Sequence, residues 1–252
     1  MAVTIKSPRE IELMREAGRI LAKTHEELAK NLRPGMSTWD IDHMGEEIIR
    51  SYGCIPSFKN YNGYPASICV SVNDEVVHGI PHKEHFLDEG DIVSLDAGVI
   101  YKGYHSDAAR TYGIGQIDDD AKKLIEVTRQ SFFEGIKFAK AGNHLNDISV
   151  AIQKYAESFG FGVVRDLVGH GIGSHLHEDP EIPNFARKRK GILLQPGMTL
   201  AIEPMITEGS YEVVWLDDDW TVMTEDGGWA AHYENTILIT DGEPEILTLQ
   251  HS

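Results

Sequence analysis

A mixed fold of helices and strands, built as two related halves, is predicted by three features of this 252-residue sequence. Helical periodicity occurs in two pairs of segments, β-prone runs follow each pair, and matching residues in the two halves fall at one displacement of 107 positions. Gly35 lies on Gly142, Asp40 on Asp147, Ile41 on Ile148, Ser51 on Ser158, Tyr52 on Phe159 and Gly53 on Gly160. The register continues from LDEGDIVSLD at Leu87 to LQPGMTLAIE at Leu194, where Asp96 meets Glu203. Matched apolar positions arise in any pair of helices, whereas a carboxylate meeting a carboxylate at the end of an apolar run is a specific repeat signal.

The first helix starts at Ser7, a capping residue with Pro8 at the first helical position, and carries Ile11, Met14, Ile20, Leu21 and Leu28 near a helical period. RPGMS breaks it, and a second helix starts at Ser37 or Thr38 as cap and ends at Gly53. KLIEVTRQSFFEGIKFAKAG reads as a third helix ending at Gly142, and NDISVAIQKYAESFG as a fourth ending at Gly160. DIVSLDAG and MTLAIEPM read as strands closed by Asp96 and Glu203, while RTYGIG and NTILIT are β-prone runs starting just after Asp107 and Glu234. No linker rich in Pro, Ser or Gly separates the halves, so residues 1–252 are expected to form one domain, repeated internally as roughly 1–118 and 119–252.

A hydrophobic content of 41% with 25% charged residues describes a folded globular chain and excludes disordered or fibrous classes. The net charge of −17 argues against a phosphate-backbone partner such as DNA, which needs a cationic face. The one short basic run, ARKRKG at 186–191, lacks interleaved aromatics and reads as a solvated loop. No apolar run approaches the roughly 20 residues that span a bilayer, and acids stand where a signal peptide would be apolar. Two cysteines without CxxC spacing suit a reducing compartment and no structural zinc. A cytoplasmic protein with no membrane partner is expected.

Chemistry concentrates in four acids and a few histidines. HGI precedes the acid-tipped strand in each half, at His78 and His170, and an H-x-[DE] tripeptide follows it, at His105 to Asp107 and His232 to Glu234. An acid at the end of an apolar strand can be buried, and a buried unpaired carboxylate costs several kcal/mol, so a cation should meet it. The plainer alternative is turn chemistry, since DAG makes a good turn and EP can close a strand. Asp96, Asp107, Glu203 and Glu234, with His170 between them, supply ligands for two divalent ions. One ion would leave the group strongly negative, whereas two approach neutrality. Glycines 169, 171 and 173 are expected to let the backbone crowd against those ions and turn sharply.

YNGYPASICVSVNDEVVHGIP, GDIVSLDAGVIYKGYHSDAARTYGIG, GHGIGSHLHEDPEIPNF, PGMTLAIEPM and AAHYENTILIT, spread over residues 61–240, together resemble the type I methionine aminopeptidases of short bacterial form. The resemblance implies an α+β pita-bread fold, with two pseudo-twofold-related halves and a curved antiparallel sheet covered by helices. It implies Asp96, Asp107, His170, Glu203 and Glu234 as ligands of two divalent metal ions, with cobalt, manganese, iron and zinc all open. His78, His177 and Glu203 are implied as catalytic, His175 as a neighbour without assigned chemistry. His25, His43, His82, His85 and His144 read as solvated.

By the same resemblance the enzyme removes N-terminal methionine from nascent chains and peptides whose second residue is small. A metal-activated hydroxide attacks the first carbonyl, Glu203 shuttles the proton, His177 bonds the carbonyl oxygen and His78 the scissile nitrogen. Phe58, Tyr61, Tyr64, Cys69, His78, Leu176, His177 and Trp220 are implied to bind substrate. Tyr61, Tyr64 and Trp220 could equally be core aromatics, but YNGY and DDDW suit a pocket rim. Phe58, Val77 and Leu176 depart from the best-known bacterial pattern and affect pocket shape rather than metal binding. Partners are expected to be nascent N-termini, at the ribosome, met by a monomer. The alternatives are an X-Pro aminopeptidase or prolidase-like enzyme, whose usual large N-terminal domain residues 1–60 leave no room for, and a non-catalytic binding module of the same fold.

Overall fold

The computed structural model describes residues 3–249, so both extremes of the expected 1–252 unit lie outside the described residues. Chain order in the first half is α1 (Pro8–Asn31), α2 (Thr38–Ser51), β1 (Ile55–Pro56), β2 (Ile68–Val72), β3 (Glu75–Val77), β4 (Ile92–Tyr101) and β5 (Tyr104–Gly113). The second half runs α3 (Asp119–Ile136), α4 (Leu145–Ser158), β6 (Gly162–Val163), β7 (Gly169–Gly171), β8 (Glu178–Ile182), β9 (Thr199–Ile202) and β10 (Met205–Thr207). It continues through β11 (Val213–Trp215), β12 (Val222–Thr224), β13 (Ala230–His232), β14 (Asn235–Leu238) and β15 (Glu245–Ile246). All strand pairings are antiparallel, and the two sheets that matter for the site are β1-β4-β2 with β5 on β4, and β15-β14-β9-β7-β8.

The helices start where capping chemistry starts them. Ser7 and Glu10 form a reciprocal capping box on α1, with the Ser7 N–H donating to Glu10 at 2.7 Å, and Ser37 with Asp40 repeats it on α2. On α4 the cap residue is His144, whose N–H donates to Asp147 at 2.9 Å. Helix α3 stops at Ile136, short of the expected Gly142, because successive turn bonds from Phe138 to Gly135 and from Ala139 to Ile136 tuck Ala139 into the core. Gly142 is thereby freed for another task.

That task is the same in both halves. The Gly35 N–H donates to the Leu87 carbonyl at 2.7 Å and the Gly142 N–H to the Leu194 carbonyl at 3.0 Å, both glycines having φ near the left-handed region. Isolated bridges join Ser37 to Phe86 and His144 to Leu193. The repeat seen in the letters is therefore present in the hydrogen bonds.

Asp96 and Asp107 do not bound strands as expected. Both lie inside a hairpin of two ten-residue strands, β4 and β5, that turns at Lys102 and Gly103 with φ 48° and 85°. Two consecutive positive-φ residues make the tight turn that matches strand twist, so the ladder runs on past the acids. Glu203 and Glu234 do flank strands, following β9 and preceding β14.

Helices α1 and α2 bury Leu21, Leu28, Ile41 and Ile49 against Ile68 and Leu95 of the first sheet. In the second half, Phe132, Ile148 and Ile152 pack on Leu200, Ile202 and Ile237. A seam joins the two sheets: Thr236 Oγ1 accepts from the Asp107 N–H and donates to the Asp107 carbonyl, each at 2.9 Å, and the Glu234 N–H donates to the Ala109 carbonyl at 3.0 Å. Among the described residues no helix is long and apolar enough to cross a membrane, and Arg187 to Lys190 form an exposed loop, as read from the sequence. Truncating Phe132 to Ala should cost about 3–5 kcal/mol, read as a lower urea midpoint at unchanged slope. A loss under about 1 kcal/mol would mean that the second-half core does not depend on this ring.

Candidate metal centre

Five strands or strand ends deliver four carboxylates and one imidazole to one cavity. Asp96 and Asp107 project from neighbouring strands β4 and β5, with Asp96 opposite Ala109 and Asp107 opposite Gly98. His170 is the middle residue of β7, opposite Ala201 of β9, and Glu203 leaves the end of β9. His170 Nε2 lies 3.6 Å from Glu203 Oε1 and 3.8 Å from Asp107 Oδ2. The donor atoms of Asp107, His170 and Glu234 all fall within 4.8 Å of one another, and so do those of Glu203, His232 and Glu234.

The glycines around His170 serve a different purpose from the one expected. A Cβ on Gly169 would stand 2.4 Å from the Ala201 carbonyl oxygen and one on Gly171 2.2 Å from that of Asp179, so these glycines let neighbouring strands close on β7. Gly173 is crowded instead by Lys6 and Glu178, which form a buried ion pair at 2.8 Å.

The electrostatics of the cavity call for cations. Burial raises the Asp96 carboxyl to about 7. Burial, then the nearby acids, push Asp107, Glu203 and Glu234 well above the usual carboxylate range. Among the described residues no lysine or arginine forms an ion pair with any of the four. Asp96 Oδ1, Asp107 Oδ1 and Glu234 Oε1 are buried without a hydrogen-bond partner. His170 is held neutral, its pKa lowered to about 3 by burial and then by His177, and its Nδ1 lies 2.8 Å from the Gly171 carbonyl, which leaves Nε2 as a free lone pair facing the acids. A hard, oxygen-rich donor set with one imidazole fits divalent metal ions of the manganese, iron, cobalt and zinc series.

The acids and His170 line part of a cavity of about 220 Å³. That is smaller than sites for drug-sized ligands and suits a single side chain. Phe58, Tyr64, Cys69, Leu176 and Trp220 form its apolar walls, with Tyr61, His78 and His177 adding polar atoms. Every residue expected to bind substrate therefore lines this one cavity. Tyr64 is a wall rather than a rim residue, 2% exposed, its hydroxyl donating to the Gly79 carbonyl at 2.9 Å and its ring edge-on to Trp220. Cys69 is opposite Asp96 in the sheet, and burial, then Asp96, drives its thiol pKa up, so it is a neutral wall. Val77 also lines the cavity.

His177 is at the mouth, stacked edge-on over His170 at 4.3 Å, with Nδ1 2.7 Å from the Tyr61 hydroxyl. Desolvation of its inner edge lowers its pKa. His78 has φ +60°, a conformation a bulky residue rarely adopts, and burial followed by His177 lowers it to about 4. His175 is exposed beside Ser174, away from the cavity lining.

Two histidines differ from the sequence reading. His25, expected to be solvated, is 4% exposed on the inner face of α1, with Nε2 2.8 Å from the Ala108 carbonyl, because the helix turns that position onto β5. His43 and His82 are exposed and His85 and His144 half-buried. His232, which the sequence reading left without a role, is 1% exposed, and its Nε2 is 3.9 Å from both Glu203 Oε2 and Glu234 Oε2. The signal for it was the H-x-E tripeptide, which its counterpart at His105 weakens: that ring bonds Ser57 at 3.1 Å instead.

The model of metallopeptidase family M24 matches residues 12–241. A methionine aminopeptidase of Clostridium acetobutylicum is 56% identical over 247 residues, 98% of this chain and 99% of its own. Methionine aminopeptidase 1 of Bacillus subtilis is 54% identical over 246 residues, with the same 98% and 99% coverage. The crystal structure of a methionine aminopeptidase from Thermotoga maritima superposes with a TM-score of 0.96 at 48% identity, covering 99% of this chain and all of that one. The fold is the α+β pita-bread arrangement of such enzymes.

Raised carboxyl pKa values carry a sign. Above about pH 7.5 histidines are largely neutral whether folded or not, and unfolded carboxyls are ionised, so only the folded chain still holds these protons and its stability falls as pH rises. Chelator-treated protein should therefore lose melting temperature between about pH 7.5 and 8.5. Added Mn²⁺ should flatten that slope, leaving the part due to Glu75, which burial raises to about 7 outside the cavity. Identical slopes with and without Mn²⁺ would contradict a cation site in this nest.

Proposed function

The chain belongs to metallopeptidase family M24, and on that premise we propose that it is a methionine aminopeptidase, removing N-terminal methionine from nascent proteins and peptides whose second residue is small. The observation that carries this reading is the convergence of four carboxylates, those of Asp96, Asp107 and Glu234 buried and that of Glu203 partly so, with His170 in one side-chain-sized cavity that apolar residues also line. The names and full-length identity of the bacterial relatives support the same substrate.

Asp96, Asp107, His170, Glu203 and Glu234 would hold two divalent ions, which balance the charge of four carboxylates. Bound there, the ions supply Lewis-acid polarisation of the scissile carbonyl and acidify water to near neutrality. Glu203, placed at the end of β9 between His170 and His232, takes the proton of the attacking water and delivers it to the departing amide nitrogen. With the Tyr61 hydroxyl donating to Nδ1, His177 carries its proton on Nε2 and can donate it to the substrate carbonyl oxygen. His78 faces the scissile nitrogen, held by its left-handed backbone beside Trp220. Phe58, Tyr64, Cys69, Leu176 and Trp220 enclose the methionine side chain.

The protein acts as a monomer in the cytoplasm on chain ends emerging from the ribosome, with neither DNA nor a membrane as partner. The physiological ion is one of cobalt, manganese, iron or zinc. Mn²⁺-loaded protein should release methionine from Met-Ala-Ser and leave an X-Pro peptide intact; cleavage of the X-Pro peptide alone would replace this reading by a prolidase-like one. Glu203→Ala should keep the fold, by circular dichroism, and lower kcat by at least about 10²-fold. Wild-type turnover in that metal-loaded variant would refute the shuttle.

A further inference from the structure

Two imidazoles, those of His170 and His232, border the carboxylate nest. His232 stands on the other side of Glu203, at the end of β13, and neither of its ring nitrogens has a hydrogen-bond partner among the described residues. Buried polar atoms without partners are rare enough to need an explanation. The backbone at this residue is fixed from two directions: its N–H donates to Thr111 Oγ1 and its carbonyl accepts from that same hydroxyl, both at 2.9 Å, while β13 pairs Met205 of β10 opposite it. The ring is thus aimed at the Oε2 atoms of Glu203 and Glu234 by the fold itself.

We propose that His232 is a positioning residue for Glu203, presenting Nε2–H to the Oε2 atoms of Glu203 and Glu234 and so keeping Glu203 Oε1 turned toward His170. The proposal rests on the metal-dependent reading given above and adds a residue to it. A role as donor rather than as metal ligand follows from the second nitrogen. His170 has the Gly171 carbonyl to receive an Nδ1 proton, which frees its Nε2 lone pair for an ion. His232 has no acceptor at Nδ1. A proton there would be an orphaned buried N–H and would leave the Nε2 lone pair facing two carboxylate oxygens. With the proton on Nε2, the donor meets both acceptors, and only a lone pair is left unpartnered at Nδ1. Under-satisfied acceptors are tolerated better than orphaned N–H groups. The 3.9 Å separations are longer than hydrogen bonds, so the attraction here is that of a dipole for two carboxylates, and a carboxylate shift of about 1 Å completes the bond. His232 does not line the substrate cavity, so its influence passes through Glu203.

The test compares His232→Leu and His232→Gln with wild type in the full chain. Calorimetric titration of Mn²⁺ into chelator-treated protein is combined with kcat and KM for Met-Ala-Ser. Outer donors to metal ligands typically control affinity or activity by about 10–100-fold. The leucine variant should weaken Mn²⁺ binding and lower kcat by about that factor, with KM changed less than about threefold. The glutamine variant, which keeps an N–H donor, should recover most of both. A leucine variant indistinguishable from wild type overturns the proposal, and so does a folded glutamine variant as impaired as leucine, since that would require the imidazole itself. X-ray absorption of the Mn²⁺-loaded wild type gives an answer even if a variant fails to fold: one imidazole shared over the site is expected, and two would make His232 a ligand. A wild type that binds no Mn²⁺ removes the metal reading instead, a result separate from those of the variants.

Discussion

The structure is organised around the mutual repulsion of four carboxylates held out of water. Each arrives on a different strand or strand end, and the ladders that carry them are fixed by backbone hydrogen bonds and by two hydrophobic cores on opposite sides. Removing even one ionised carboxylate from water costs several kcal/mol after relaxation, and clustering four multiplies the cost. A chain can meet this by protonating the acids or by recruiting cations. The raised pKa values express the first route, and the uniformly hard donor set with one tautomer-fixed imidazole expresses the second.

The two halves share the labour. A long hairpin in the first supplies Asp96 and Asp107, and the second supplies His170, Glu203 and Glu234 from a separate sheet. The seam between them is polar and directional: Thr236 clamps both backbone groups of Asp107, and Arg110 donates to the carbonyls of Ala109 and Glu234 and, at 2.6 Å, to Asn235 Oδ1. Arg110 bonds carbonyl-type oxygens at this seam, so its charge lies behind the nest without closing it, and it moderates Glu234 only in part. The substrate cavity crosses the same seam, with Phe58, Tyr64 and Cys69 from one half and Leu176, His177 and Trp220 from the other. Geometry at the proposed metal ligands and at the cavity walls is therefore set by one interface.

The repeat was legible because both kinds of residue that define it, turn glycines and chain-end acids, tolerate few replacements in their local roles. Gly35 and Gly142 both have positive φ and hand an N–H to the carbonyls of Leu87 and Leu194, in the segments that lead into β4 and β9. Asp96 and Glu203 were visible as charges that interrupt apolar runs. The extent of β4 and β5 was not visible, since Lys102 and Gly103 do not form one of the strongest hairpin dipeptides and the polar stretch around them reads as loop. His25 shows the limit of reading a residue by type: its place on the inner face of α1 was available from helical period, but a histidine among charged residues suggests solvent. His232 was hidden for another reason. The same H-x-[DE] pattern occurs at His105, which lies inside β5 with Asp107 and bonds Ser57, whereas His232 ends β13 and faces the nest.

The central claim is that this nest of acids exists to hold two divalent ions. Anomalous diffraction from crystals soaked in Mn²⁺, collected at the manganese edge, locates such ions without reference to turnover. Two strong peaks among Asp96, Asp107, His170, Glu203 and Glu234 are the predicted result. Peaks elsewhere on the molecule, with the four carboxylates left facing one another and no manganese between them, would contradict it.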